Sequence, residues 1–295
     1  MTYKPTGALK KLVDLGKVDT RVLGSVERFL LSKPADTSRR TDVLHPSAMV
    51  KDDWCYRASY FELQGAEPAP SKYKASLKQA MVFDEGHHIH HRWQTWFKEM
   101  GRLKGKYECL ECGDVFFGLP NDHDPEAPAS AYEYLEVPLY YEPLRISGHA
   151  DGWLVDFNDP LLLEIKSVGI GTFRWETPDL FFKHDGNFEK IWKDVETPFY
   201  THIQQAQMYM KLMELIGYED APKEALVLYE SKATQDVKEF VIQKSDFGIQ
   251  PLFDAAQMIV DSISAGVMPD CNINGAAGCR SCNHHMEQLN AKNGN

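Results

Sequence analysis

The stretch GHADGWLVDFNDPLLLEIKS, Gly148 to Ser167, sets Glu164 and Lys166 inside an apolar run. A charge inside a protein is costly unless it is paired or bound to a metal. Residues two apart on a strand project to the same face, so this carboxylate and ammonium belong together. If residues 144–157 and 161–168 form a hairpin about Asn158 and Asp159, then Phe157 pairs with Pro160 and Asp151 lies across from Lys166. Asp151, Glu164 and Lys166 then share one face, with cross-strand Cβ atoms about 5 Å apart. A one-residue slip would carry Asp151 to the other face. Two carboxylates so placed suit a hard divalent cation, Mg²⁺ or Mn²⁺. Such an ion polarises a phosphodiester and lowers the pKa of a bound water, and Lys166 orients that water or neutralises charge in the transition state. Glu-x-Lys by itself also matches an ordinary ion pair on a half-exposed strand.

The elements that must position these groups can be read along the chain. Residues 1–44 read as short helices joined by polar linkers. The segment 44–65 is helical in character, with Ser47 as its N-cap. A loop rich in Pro, Ser and Lys leads to a longer helix, in which Ile89, His90, Trp93, Trp96 and Phe97 recur at spacings of three and four and form an inward stripe. His87, His88 and His91 fall mostly off that stripe and read as surface residues, although His87 and His91 have the i,i+4 spacing that zinc sites use. Strands are expected over 132–141, 144–157 and 161–168, then an irregular aromatic stretch over 169–197. A helix over 198–216 stops at Gly217, two strands (EALVLYES and VKEFVIQ) follow, and a helix covers 246–265. Strands surrounded by helices predict an α/β fold with a central mixed β-sheet flanked by helices. His149 shares the face of Asp151 and is a secondary candidate near the site.

With 295 residues the chain can bury a sizeable core, and its formal net charge of −11 provides no global basic field for nucleic acid. No apolar run is long enough for a membrane span and the start carries no signal-peptide stretch, so a soluble cytoplasmic protein is expected (in the host cytoplasm if phage-encoded). Cysteines occur as Cys55, the pair Cys109 and Cys112, and the trio Cys271, Cys279 and Cys282. Two C-x-x-C units in such a chain suggest metal more than disulfides. CLECG, with Cys109 and Cys112, resembles half a zinc knuckle, for which His123 is the nearest further ligand. A degenerate knuckle that binds nothing fits as well.

Asp-x₁₂-Glu-x-Lys after SGHADG resembles the core of the PD-(D/E)XK nuclease superfamily. The wider chain resembles its RecB-like branch, which includes CRISPR-associated exonucleases and phage relatives. In that branch a G-x-x-x-H helix precedes the core, matched by Gly86 to His90, and a Q-x-x-x-Y helix follows it, matched by Gln205 and Tyr209. The motifs stand in family order across residues 45–285. The resemblance implies a restriction-endonuclease-like core over 45–285, after an N-terminal helical segment (1–44) and before a tail (286–295). It implies His90, Asp151, Glu164 and the Ile165 carbonyl as metal ligands and Lys166 as the catalytic lysine. Gln205 and Tyr209 would sit beside that lysine and contact the site or the DNA. The branch often carries an iron–sulfur cluster, usually 4Fe–4S, on one Cys before the core and three after it, here Cys55 with Cys271, Cys279 and Cys282. Two departures stand out: Tyr56 replaces the usual Pro after the first Cys, and the lone Cys271 precedes the C-x-x-C.

The activity so implied is a metal-dependent DNA exonuclease acting at DNA ends in recombination, repair or phage DNA processing. The aromatic stretch 173–192 would either stack unpaired bases of single-stranded ends or form a partly buried lid. Recombination or CRISPR-adaptation proteins are the partners this implies. A structure- or sequence-specific endonuclease and a non-catalytic DNA-end or spacer-capture subunit are the alternatives.

Overall fold

The computed structural model describes residues 22–33, 39–70, 76–273 and 279–292. The chain divides into two compact units, Met1–Ser38 with Ser71–Asp84, and Arg39–Pro70 with Glu85–Asn295. The first contributes helix α1 (Leu23–Ser32) and the opening turns of a long helix, α4 (Leu77–Glu99).

In the second unit, short helices α2 (Pro46–Met49) and α3 (Tyr56–Glu62) precede the body of α4. Strands β1 (Leu103–Cys109), β2 (Val115–Gly118), β3 (Tyr132–Tyr134), β4 (Val137–Tyr141), β5 (Ile146–Ala150), β6 (Gly152–Leu154) and β7 (Leu161–Val168) follow. Helices α5 (Ile170–Glu176), α6 (Pro178–Lys183), α7 (Phe188–Asp194) and α8 (Tyr200–Ile216) cross over to β8 (Glu224–Ser231) and β9 (Val237–Gln243). Helices α9 (Gln250–Ala265) and α10 (Arg280–Lys292) complete it. The main sheet runs β2-β1-β6-β7-β8-β9 with β3 also on β1, while β4 and β5 pair separately.

β7 and β8 pair in parallel, and a parallel pair needs a crossover of this kind. Both strands are almost continuously buried because both faces are covered. On one face Leu162, Val227 and Tyr229 share a core with Ala206, Met210 and Met213 of α8. On the other, Leu163, Ile165, Leu226 and Leu228 meet Ile89 of α4. β9 lies at the edge and alternates exposed with half-covered residues. The molecule is therefore α/β, with a central mixed sheet flanked by helices, as its pattern of elements predicts.

Several local expectations need correction. The strand expected over 144–157 is two strands, β5 and β6, in different sheets, with Asp151 between them. β6 pairs with β7 as Gly152↔Leu163, Trp153↔Leu162 and Leu154↔Leu161, two residues away from the expected register. Phe157 and Pro160 do not pair, because the connection is a loop in which Asp156 (φ 61) and Asn158 (φ 29) take left-handed backbone, a conformation short polar side chains tolerate. The strand expected over 132–141 is broken at Glu136, also left-handed (φ 63). Ser47 lies inside α2, whose N-cap is His45, because Pro46 takes the first helical position. The stretch 169–197 forms three short helices in which Phe173 is fully buried and Trp192 nearly so, whereas Trp175 and Phe182 are exposed. Trp96 leaves the expected stripe: it stays 46% exposed, edge-on to Trp93.

Candidate active site and cysteine centre

The site forms where β6 leaves β7. The β6–β7 pairing stops at Gly152↔Leu163, so beyond it the β6 side of Ile165 is free of backbone partners. Asp151 occupies that gap, and the Ile165 amide donates to its Oδ2 at 2.6 Å. The N–H and C=O of one strand residue point to the same side, so the Ile165 carbonyl faces the gap as well. Gly152 allows the close packing behind Asp151: a Cβ there would come 2.5 Å from Leu103 and 3.2 Å from Leu163.

Glu164 and Lys166 project together from β7, with Lys166 Nζ 2.5 Å from Glu164 Oε1. The ammonium also donates to Gln205 Oε1 at 3.1 Å, and Gln205 Nε2 donates to the Tyr209 hydroxyl at 3.0 Å. Gln205 and Tyr209 meet because residues four apart on α8 share a face. Tyr209 also needs Gly148: a Cβ at that position would lie 3.1 Å from its ring. Glu164 is 2% exposed and its Oε2 is buried without a hydrogen-bond partner.

His90 approaches from α4, across the sheet from α8, and its Nδ1 lies 3.1 Å from Asp151 Oδ1. Gly86, one turn earlier, is buried where a Cβ would come 3.2 Å from Ser167 Oγ, so glycine lets this turn of α4 lie close to β7. His87, His88 and His91 are exposed, as is His149 on β5.

Electrostatics bind these groups into one system. Burial pushes Glu164 up to about 7, with the Asp151 charge adding and Lys166 opposing. Burial also works against the Asp151 carboxylate, but His90, Lys166 and the Ile165 amide hold it below the ordinary value. For Lys166 and His90 burial disfavours the cation, and the two carboxylates outweigh it, so both shift upward. Two carboxylates, one with an unpartnered buried oxygen, an imidazole and a carbonyl facing the gap are donor types that a hard divalent ion accepts. The donor types therefore suit Mg²⁺ or Mn²⁺, although His90, Asp151 and Glu164 are not among the described groups whose ligand atoms all lie within 4.8 Å of one another.

Sequence reasoning missed two neighbours. Gln94 donates to the Asp151 carbonyl at 3.0 Å and lies 3.4 Å from Glu136 Oε1. Burial, with help from Asp151, raises Glu136 to about 7. A lone Glu between two short strands carries no signal in a sequence. The stripe of α4, by contrast, runs on from His90 to Gln94 at i+4 and marks Gln94 as inward.

The four cysteines expected to act together do meet. Sγ atoms of Cys55, Cys271, Cys279 and Cys282 all lie within 4.8 Å of one another, with Cys55 2.9 Å from Cys282. Cys55 is the N-cap of α3 and its sulfur accepts from the Ala58 amide. The Tyr56 amide donates to Asn272 Oδ1 at 2.9 Å, and Asn272 in turn donates to the Trp54 carbonyl. Proline has no N–H to offer, so Tyr56 supplies a bond that a proline at this position could not. Burial pushes the Cys55 thiol up to about 11 and Cys282 well up too. Buried thiols of this kind lose their protons when a metal takes their place, so the set fits a thiolate-bound centre. His285 of α10, which sequence reasoning missed, is buried beside it, stacked on Phe61 and 3.5 Å from Glu62.

No family model matches the chain and no curated protein matches it. Among solved structures it is similar to an alkaline exonuclease, LHK-Exo, from Laribacter hongkongensis, at 13% identity and a TM-score of 0.42, over 86% of this chain and 95% of that one. The same enzyme in complex with dAMP gives 11% and 0.43 over the same shares. The protein SSO0001 gives 12% and 0.34 over 88% and 91%. Likenesses this distant carry no functional argument. Among the described residues no helix is long and apolar enough to cross a membrane.

Proposed function

We propose that this chain is a divalent-metal-dependent deoxyribonuclease, and specifically an exonuclease acting at DNA ends. One observation carries the reading. His90 from α4, Asp151 from the β5–β6 junction, and Glu164 and Lys166 from β7 share one electrostatic system in which a carboxylate oxygen is buried without a partner. Asp151, Glu164, His90 and the Ile165 carbonyl would hold Mg²⁺ or Mn²⁺. When bound, the ion polarises the scissile phosphodiester and lowers the pKa of a water. Lys166, held by Glu164 and Gln205, presents its ammonium to the attacking water or to the charge that develops on the phosphate. Gln205 keeps Lys166 in place, and Tyr209 keeps Gln205 in place.

Cys55, Cys271, Cys279 and Cys282 would ligate an iron–sulfur cluster, which staples the C-terminal segment to α3. The exposed rings of Trp175 and Phe182 are available to stack unpaired bases of a single-stranded end. The choice of exonuclease over endonuclease rests on the sequence's resemblance to the RecB-like branch and its exonucleases. Incubation of the purified chain with end-labelled linear and with circular DNA plus Mn²⁺ tests both levels. Loss of label from linear DNA only is expected. Cleavage of circles would favour an endonuclease, and no cleavage of either would leave a DNA-end clamp.

A further inference from the structure

The tip of the β1–β2 hairpin holds a second set of metal-ligand side chains. Cys109 ends β1, and the chain turns through Cys112 to Gly113 at φ 77. A Cβ at Gly113 would meet nothing within 4 Å, so the left-handed backbone, not crowding, is what favours glycine. The Gly113 amide closes the turn on the Cys109 carbonyl at 2.8 Å.

His123 arrives from the loop after β2. Its ring stacks on Phe116 (5.0 Å) and stands edge-on to Tyr132 (5.7 Å). Nδ1 is buried without a partner, whereas Nε2 lies 3.6 Å from Cys112 Sγ. Zn–S bonds of about 2.3 Å and Zn–N bonds of about 2.0–2.1 Å place S and N about 3.6 Å apart across a tetrahedral angle. Ligand atoms of Cys109, Cys112 and His123 all lie within 4.8 Å of one another, and the Asp114 carboxylate is 3.7 Å from Nε2.

We propose that Cys109, Cys112 and His123 hold a structural Zn²⁺, the fourth position being completed by water or by a movement of the nearby Asp114 carboxylate. Two thiol protons leave as the ion binds, and no other bond changes. The ion ties the 119–131 loop to the hairpin that extends the main sheet. It is a separate centre from the four-cysteine one and does not depend on the nuclease reading.

The test measures zinc and iron by mass spectrometry in the full chain expressed with both metals, alongside Cys112→Ser, His123→Ala and Cys55→Ala. Zinc that survives Cys55→Ala should be lost in Cys112→Ser and bound at least about tenfold more weakly in His123→Ala. The iron content of Cys112→Ser should not change. Cobalt(II) in place of zinc should give the intense visible bands of a tetrahedral thiolate site, and Cys112→Ser should abolish them. Should a variant fail to fold, chelation of the wild-type chain gives the same answer, since it should open residues 110–128 to proteolysis. Zinc unchanged by both substitutions, or a wild-type chain with neither zinc nor cobalt bands at this site, would overturn the proposal and leave a simple thiol–imidazole contact.

Discussion

Asp151 Oδ2 accepts the Ile165 amide at 2.6 Å, a bond that β6 would have made had it stayed paired with β7. The side chain replaces a missing strand, and this fixes the carboxylate at the opening of the sheet. Its other oxygen is left to His90.

Asp151→Ala, Glu164→Ala and Lys166→Ala should each reduce DNA cleavage by roughly 10²–10³-fold or more, the scale of losing one preorganised electrostatic group at a reacting centre. Circular dichroism should show the fold retained. Wild-type cleavage by Glu164→Ala at limiting Mn²⁺ would remove Glu164 from the site.

Gly148→Ala should act through Tyr209. The new methyl carbon would lie 3.1 Å from the Tyr209 ring and 3.4 Å from its hydroxyl. Overpacking of this kind costs about 1–3 kcal/mol, and the shifted hydroxyl would loosen Gln205 and then Lys166. Tyr209→Phe, which keeps the packing, should lower cleavage more mildly and alter its pH profile. Equal stability of Gly148→Ala and wild type in urea titrations would show that the Tyr209 ring gives way freely.

The raised pKa of Glu164 sets a pH dependence in metal-free protein. Its folded value is about 7 against an ordinary 4.5, so between these pH values the native state holds more proton than the unfolded one. Stability therefore falls as pH rises through that window. Glu164→Gln should remove part of the fall, up to roughly 3 kcal/mol above pH 7. Glu136 and Glu62, both raised to about 7, keep the rest. Thermal melts at pH 5 and pH 8 check this, and identical pH slopes for variant and wild type would contradict it. Mn²⁺ affinity should rise with pH over the same range, because metal and proton compete for one carboxylate.

At the four-cysteine centre, anaerobically purified protein should be brown, as expected of thiolate-ligated iron. Cys55→Ala should bleach it, and Cys109→Ala should leave the colour alone. Tyr56→Pro should remove the bond to Asn272 and cost about 0.5–1.5 kcal/mol, while keeping the colour. Stoichiometric zinc without iron in such preparations would exclude the iron–sulfur assignment.

Much of this arrangement was legible in the residues themselves. Glu164 and Lys166 share a face because strand side chains alternate. Gln205 and Tyr209 meet because helical neighbours at i,i+4 are stacked, and the apolar stripe of α4 turns His90 inward. β8 and β9 begin and end where their patterns place them. All of these follow from the geometry of a single element, which local spacing specifies.

What the tertiary structure decided is how separate elements meet. Spacing could not show that β5 and β6 part at Asp151, since a strand and a bent strand have the same alternation. The two-residue error in register arose from the left-handed loop, and it preserved the faces only because side chains alternate with a period of two. Nor could it show that His90 comes from the helix opposite α8, through the gap that the parting strands leave. Glu136 and His285 owe their places to packing alone. The cysteines of the chain's two ends come together for the same reason: closing a long loop costs little more than closing a short one, so separation in sequence says almost nothing about which residues touch.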